Sequence, residues 1–233
     1  MKILFTILSA QGKSPSPIGY SLKHQPSEEF IPGLTAQSYW EATQNESLFP
    51  WASKLEENAH IIVSEFKEKL IFQETESQKT TLFAGDSAWQ NNVMGKGWSA
   101  IRLQRLGVWN VEICNAFPKT FHLLQSLNIP LAVRGVCFAR QAPNSGVQPH
   151  SDGRNFILTS HLGIMIPEGC WIQVADEKRT WEEGKLVTID TSFEHSTGNP
   201  SSSDRYVLII DFWHPELTVR RHFVVYFFNE TRY

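Results

Sequence analysis

Apolar and polar positions change their spacing part-way along the chain. Across residues 11–50 no period holds; Ser, Pro, Gln and Glu dominate, and the stretch reads as an irregular arm. From Trp51 a helical period sets in, with Trp51, Leu55, Ile62, Phe66 and Leu70 on one face. Ser53 and Glu56 have the spacing of a capping box near its start. A second helix is expected from Pro118, whose fixed φ suits a first helical position, burying Phe121, Leu124 and Leu127.

Beyond Leu131 the period shortens. Leu131–Ala139 is a mostly apolar run, and Asn155–Leu162, Trp171–Ala175 and Lys185–Asp190 read as short strands between polar turns. Arg205–Trp213 is the strongest, with Val207, Ile209 and Asp211 alternating against Tyr206, Leu208, Ile210 and Phe212. Phe223–Phe228 reads as one more strand. Strands at this spacing predict a sandwich or barrel, because no βαβ alternation appears. The expected fold is mainly β, helices first and then a jelly roll.

Composition narrows this picture. Aromatics make up 12%, with 15 Phe and 8 Trp, which favours a sheet-rich core. Charged residues are only 19% and the net charge is -3, so there is no electrostatic footprint for a nucleic acid. Cys114, Cys137 and Cys170 form no C-x-x-C pair, which argues against a zinc ribbon and points to a reducing, cytoplasmic or other soluble intracellular setting. No run approaches the ~18 apolar residues of a membrane span. Met1–Ala10 reads equally as a weak signal peptide and as a first strand.

Candidate chemistry lies among the histidines. Two ligands separated by one residue on extended chain point the same way, so His150 and Asp152 form a natural pair. His195 lies far enough downstream to return through several strands and complete a two-imidazole, one-carboxylate set of the type that holds catalytic iron. His214-Pro215-Glu216 has the same form, but only His222 follows it, too close to return from another strand. Arg205, ten residues after His195, opens the strongest strand and is placed to clamp a dicarboxylate in bidentate fashion. The plain reading of the same residues is hydrogen-bonded structural histidines and a solvated arginine.

The segment from His150 to Thr218 resembles the catalytic domain of aspartyl/asparaginyl β-hydroxylases. The matching pieces include Pro149-His150, Asn155, His161-Leu162-Gly163, Ile166-Pro167, Gly169-Cys170, Arg179-Thr180-Trp181-Glu182-Glu183-Gly184-Lys185, Asp190, Ser192-Phe193-Glu194-His195, Arg205 and Trp213-His214-Pro215-Glu216-Leu217-Thr218. A weaker likeness extends the match over 51–220, which divides the chain into an arm (1–50), a dioxygenase-like domain (51–220) and a C-terminal strand or tail (221–233). The resemblance implies a double-stranded β-helix, ferrous iron, 2-oxoglutarate as cosubstrate, and dioxygen. By position His150 and His195 would bind iron, Arg205 the distal carboxylate of 2-oxoglutarate, and His161 its iron-bound end. His214 would be a structural corner.

Two departures bear on specificity. Animal members of the family have Gly where this chain has Asp152, and bind iron through two histidines and water; here a full triad is available. The family also carries basic residues before the H-L-G motif that help hold an acidic substrate, whereas this chain has Ile157 and Thr159. Arg140 and Arg154 flank the region and, with Thr159, are candidates for substrate contact. The expected function is hydroxylation of an unactivated carbon, foremost the β-carbon of Asp or Asn in a peptide or protein. The alternatives are a hydroxylase of a free or carrier-bound small molecule or acyl chain, a non-catalytic β-sandwich binding module, and a zinc or manganese cupin.

Overall fold

A computed structural model describes residues 30–75 and 97–217; the first ten residues, Phe223–Phe228 and His222 lie outside them. Eleven strands and a set of short helices follow in order among the described residues. A brief strand β1 (Tyr39–Trp40) and a 3-10 turn precede helices α1 (Ala52–Glu57) and α2 (Ala59–Thr75). Strands β2 (Trp98–Arg105) and β3 (Val108–Trp109) lead to α3 (Val111–Ala116) and α4 (Pro118–Ser126). The remaining strands are β4 (Leu131–Gln141), β5 (Ser145–His150), β6 (Ile157–Met165), β7 (Trp171–Val174), β8 (Glu177–Arg179), β9 (Leu186–Asp190), β10 (His195–Asn199) and β11 (Arg205–Trp213).

The strands form two antiparallel sheets. The major sheet runs β1-β9-β6-β11-β4-β2-β3 and the minor sheet β5-β10-β7-β8. This is the expected jelly roll with flanking helices. Along β4 and β11 alternate residues serve two cores, as the period of two demands. Phe138, Leu208 and Ile210 face the helices and pack with Leu55, Ile62 and Phe66. Ala139 and Val207 face the minor sheet, where Ile172, Val174 and Trp181 meet them. The site opens between the two sheets.

Local chemistry refines the helix expectations. The helical face from Trp51 to Leu70 is cut at Asn58, whose side-chain amide and backbone N–H both donate to the Lys54 carbonyl and end α1. The capping box does not form: Ser53 donates its hydroxyl to the Thr43 carbonyl, and Glu56 accepts from the Leu186 N–H and Lys185 Nζ, tying α1 to β9. Helix α4 begins at Pro118 as expected, and its first free N–H groups are taken by the buried Glu65 carboxylate from α2. Among the described residues no helix is long and apolar enough to cross a membrane.

Candidate active site

The two histidines face each other across the minor sheet. His150 closes β5 and His195 opens β10, in direct antiparallel register, with ring centroids 4.2 Å apart. Each ring is fixed by its own strand: His150 Nδ1 sits 2.8 Å from the Gln148 carbonyl and His195 Nδ1 2.9 Å from the Phe193 carbonyl. With Nδ1–H donating to a carbonyl, Nε2 keeps its lone pair for a metal. His195 is buried, and burial keeps its pKa below the ordinary value, so the ring stays neutral. Asp152, just past the end of β5, is held by its backbone N–H to the Thr191 carbonyl. Donor atoms of His150, Asp152 and His195 all lie within 4.8 Å of one another, a spacing that fits a single ion.

Asp152 is not free to swing away. Arg134 Nη1 bonds its Oδ2, while Oδ1 lies 3.9 Å from His150 Nε2. Arg134 also pairs with Asp211 at 2.7 Å and reaches Thr159 and Thr191 at 3.3 Å each. Burial alone would raise the Asp152 pKa, but Arg134 and then the two histidines outweigh it and keep the carboxylate well below its usual range. Gly135, next to Arg134, has φ +68°, and the register of β4 with β11 shifts across this stretch, from Ile210 opposite Val136 to Phe212 opposite Leu131. A bulge of this kind re-aims a side chain that regular alternation would send to the other face.

The opposite wall carries the second set. Arg205, at the start of β11, is 2% exposed and its side chain has no hydrogen bond to any described residue; its Nε is buried without a partner. Burial pushes its pKa down to about 10, still leaving a cation at neutral pH. Its guanidinium lies 4.6 Å from the Trp181 ring centre, and Trp181 stacks on His161 at 5.9 Å. Burial and then the nearby Arg205 charge push His161 down to about 3, so it is neutral, and its Nδ1 also lacks a partner. Trp181 is placed by backbone pairing. Gly163 and the turn after Trp181 exchange bonds (Gly184 N–H to the Gly163 carbonyl, 2.9 Å; Gly163 N–H to the Lys185 carbonyl, 3.0 Å). A Cβ at 163 would collide with the Glu182 carbonyl. The H-L-G and R-T-W-E-E-G-K motifs are therefore two halves of one junction.

A family model described as aspartyl/asparaginyl β-hydroxylase matches residues 56–215. The chain belongs to this family. The mouse protein named aspartyl/asparaginyl beta-hydroxylase is 42% identical over 131 residues, covering 54% of this chain and 18% of that one. Its human counterpart is 41% identical over 131 residues, with 17% of its length matched. The chain thus spans under a fifth of the length of these two relatives. Mouse aspartate beta-hydroxylase domain-containing protein 2 is 27% identical over 213 residues, covering 85% of this chain and 59% of that one. Among solved structures, a 2OG-Fe(II) oxygenase family oxidoreductase from Burkholderia pseudomallei aligns with a TM-score of 0.38 and 11% identity over 55% of this chain and 73% of that one.

Within this β-hydroxylase family domain, one cavity gathers His150, Asp152, His195, His161, Arg205 and Thr159. Arg140 and Arg154 are not in its lining. Arg140 follows Phe138 on the helix-facing side of β4 and pairs with Asp204 at 2.8 Å. His214 is buried and bonds the Thr35 carbonyl, as a structural corner should. Sequence reasoning passed over Arg134, Asp211 and Arg102, which also line the cavity. Their signal was a charge set directly beside apolar residues within a strand, as in Ile101-Arg102-Leu103, Val133-Arg134-Gly135 and Ile210-Asp211-Phe212.

Proposed function

We propose that the chain is an iron(II)- and 2-oxoglutarate-dependent dioxygenase that hydroxylates an unactivated carbon, foremost the β-carbon of an Asp or Asn residue in a peptide or protein. The observation that carries this reading is Arg205, a buried guanidinium with no counter-anion among the described residues, facing the same cavity as the His-Asp-His cluster. A buried unpaired cation is costly, and a dicarboxylate reaching in from a metal removes that cost. When bound, ferrous iron would activate dioxygen, with 2-oxoglutarate giving two of the four electrons that reduce it and the substrate C–H bond the other two.

The chain's own residues do the rest. His150, Asp152 and His195 would hold the ion, the histidines through Nε2 because their Nδ1 atoms are bonded to carbonyls. Arg205 would bind the distal carboxylate, and the Trp181 face keeps its guanidinium aimed. Neutral His161 can donate a hydrogen bond toward the metal-bound end without adding charge. Arg205→Met should weaken 2-oxoglutarate by roughly 10–100-fold while iron affinity holds, since one charge-assisted bidentate contact is lost. Anaerobic titrations of iron and cosubstrate measure both; normal 2-oxoglutarate binding by the variant refutes the assignment.

A second reading, oxidation of a small molecule or acyl chain, draws on the two positions where the family pattern has basic residues. Ile157 is closed into an apolar cluster with Trp213 and Leu217, and Thr159 donates to Asp211 at 2.6 Å. Succinate release with peptide and non-peptide substrates separates the two readings.

A further inference from the structure

Among the described residues, the charges around the cavity leave one cation over. Its described lining holds three arginines, Arg102, Arg134 and Arg205, against two carboxylates, Asp152 and Asp211, an excess of one positive charge. Arg134 is matched by the two aspartates it bonds. On the reading proposed above, which this inference rests on, a divalent ion and a dianionic cosubstrate cancel each other and Arg205 is answered by the cosubstrate tail. The sum stays at one positive charge, and its location is Arg102.

Arg102 is suited to meet something from outside. It sits on β2 opposite Cys137 in register, half-buried, and both residues line the cavity. Its side chain makes no hydrogen bond and no ion pair with any described residue, whereas Arg134 and Arg140 are each paired with a carboxylate. Trp98, two pleat repeats away on the same face of the strand, lines the same cavity and adds an apolar surface. A guanidinium that is partly desolvated, preplaced by a strand and unpaired is a carboxylate receptor.

We propose that Arg102 determines substrate specificity by pairing with a single anionic group, a carboxylate, carried by the substrate. It reaches the cavity from β2, on the far side of β4 from the β6 positions Ile157 and Thr159. The target carbon is thereby presented from the other end of the major sheet than those β6 positions would impose.

The test uses iron-loaded protein with 2-oxoglutarate and substrates in matched pairs differing only in charge. One pair is an Asp-containing peptide with its Asn version; another is a medium-chain fatty acid with its primary amide. Binding is measured by calorimetry under nitrogen and turnover by succinate release. In at least one pair the anionic member should bind ten-fold or more tighter than the neutral one. Arg102→Gln should erase that preference, raising KM by about 10–100-fold with kcat within about three-fold, and Arg102→Lys should restore part of it. Added salt should raise KM for wild type and leave Arg102→Gln almost unmoved. Circular dichroism and melting confirm that each variant is folded. The proposal is overturned if neutral members bind as well as anionic ones, if no anionic member binds, or if Arg102→Gln keeps the preference. Protein that binds no 2-oxoglutarate at all instead defeats the dioxygenase reading, and this inference falls with it.

Discussion

Asp152 is the position at which the resemblance read from the sequence implies glycine, and its surroundings are those of a partly buried, paired carboxylate and not of a surface charge. Arg134 takes one carboxylate oxygen and leaves the other toward His150, which suits a monodentate metal ligand. Asp152→Ala should weaken ferrous iron by at least about ten-fold, the lower end of what even outer-shell changes commonly cost. Arg134 keeps Asp211, so the fold should survive. Anaerobic iron titration checks this, and equal affinities would mean that the two histidines suffice. Asp190 offers a pH test at the same scale. Burial pushes its carboxyl up to about 7, against the hydrogen bonds donated by Ser192. A carboxyl raised in the folded state adds stability that is complete below its unfolded pKa of about 3.9 and disappears as pH rises through about 7. Wild type should therefore lose ground to Asp190→Asn between pH 5 and pH 8 in urea denaturation. A constant difference across that window would place the carboxyl in an ordinary range.

At the scale of elements, alternation made some strands legible and chemistry hid others. Arg205–Trp213 was read with its observed bounds because both faces of β11 are apolar and buried. Strands β5 and β10 escaped notice: S-G-V-Q-P-H and H-S-T-G-N carry little apolar alternation, and β10 is held by pairing on both edges instead. His195 accordingly opens a strand that the apolar pattern did not mark. The candidate ligand strands are polar because their side chains serve the cavity. The four residues His150, Asp152, His195 and Arg205 were legible from spacing, while Arg134 was not, since simple alternation in Leu131–Ala139 cannot reveal a bulge. Gly135 was the available sign. A Cβ there would strike the Gln104 backbone in a conformation that L side chains avoid. Gly135→Ala should cost about 1–3 kcal/mol of stability and loosen the Arg134–Asp152 contact. Urea melts read the first effect, and a parallel loss of iron affinity reads the second.

Across the whole molecule the two sheets divide the labour. The minor sheet presents both histidines and, at its edge, Asp152; the major sheet presents Arg205 and His161. Ligands bound between them would join sheets that otherwise meet through apolar packing, and stability should rise with their concentration. Arg205 then has a meaning for the empty protein as well. A guanidinium this buried, without a counter-anion among the described residues, destabilises the fold until an anion binds it. Replacing a buried ionic group by an apolar side chain of similar volume is often stabilising by about 1–4 kcal/mol. Arg205→Met, without iron or 2-oxoglutarate, should accordingly melt several degrees above wild type, about 4–8 °C per kcal/mol for a small domain and less for a larger one. Adding both ligands should reverse the order. In a cell, the unliganded chain would be the form that proteases find first, and the supply of a central metabolite would help set how much of this protein persists.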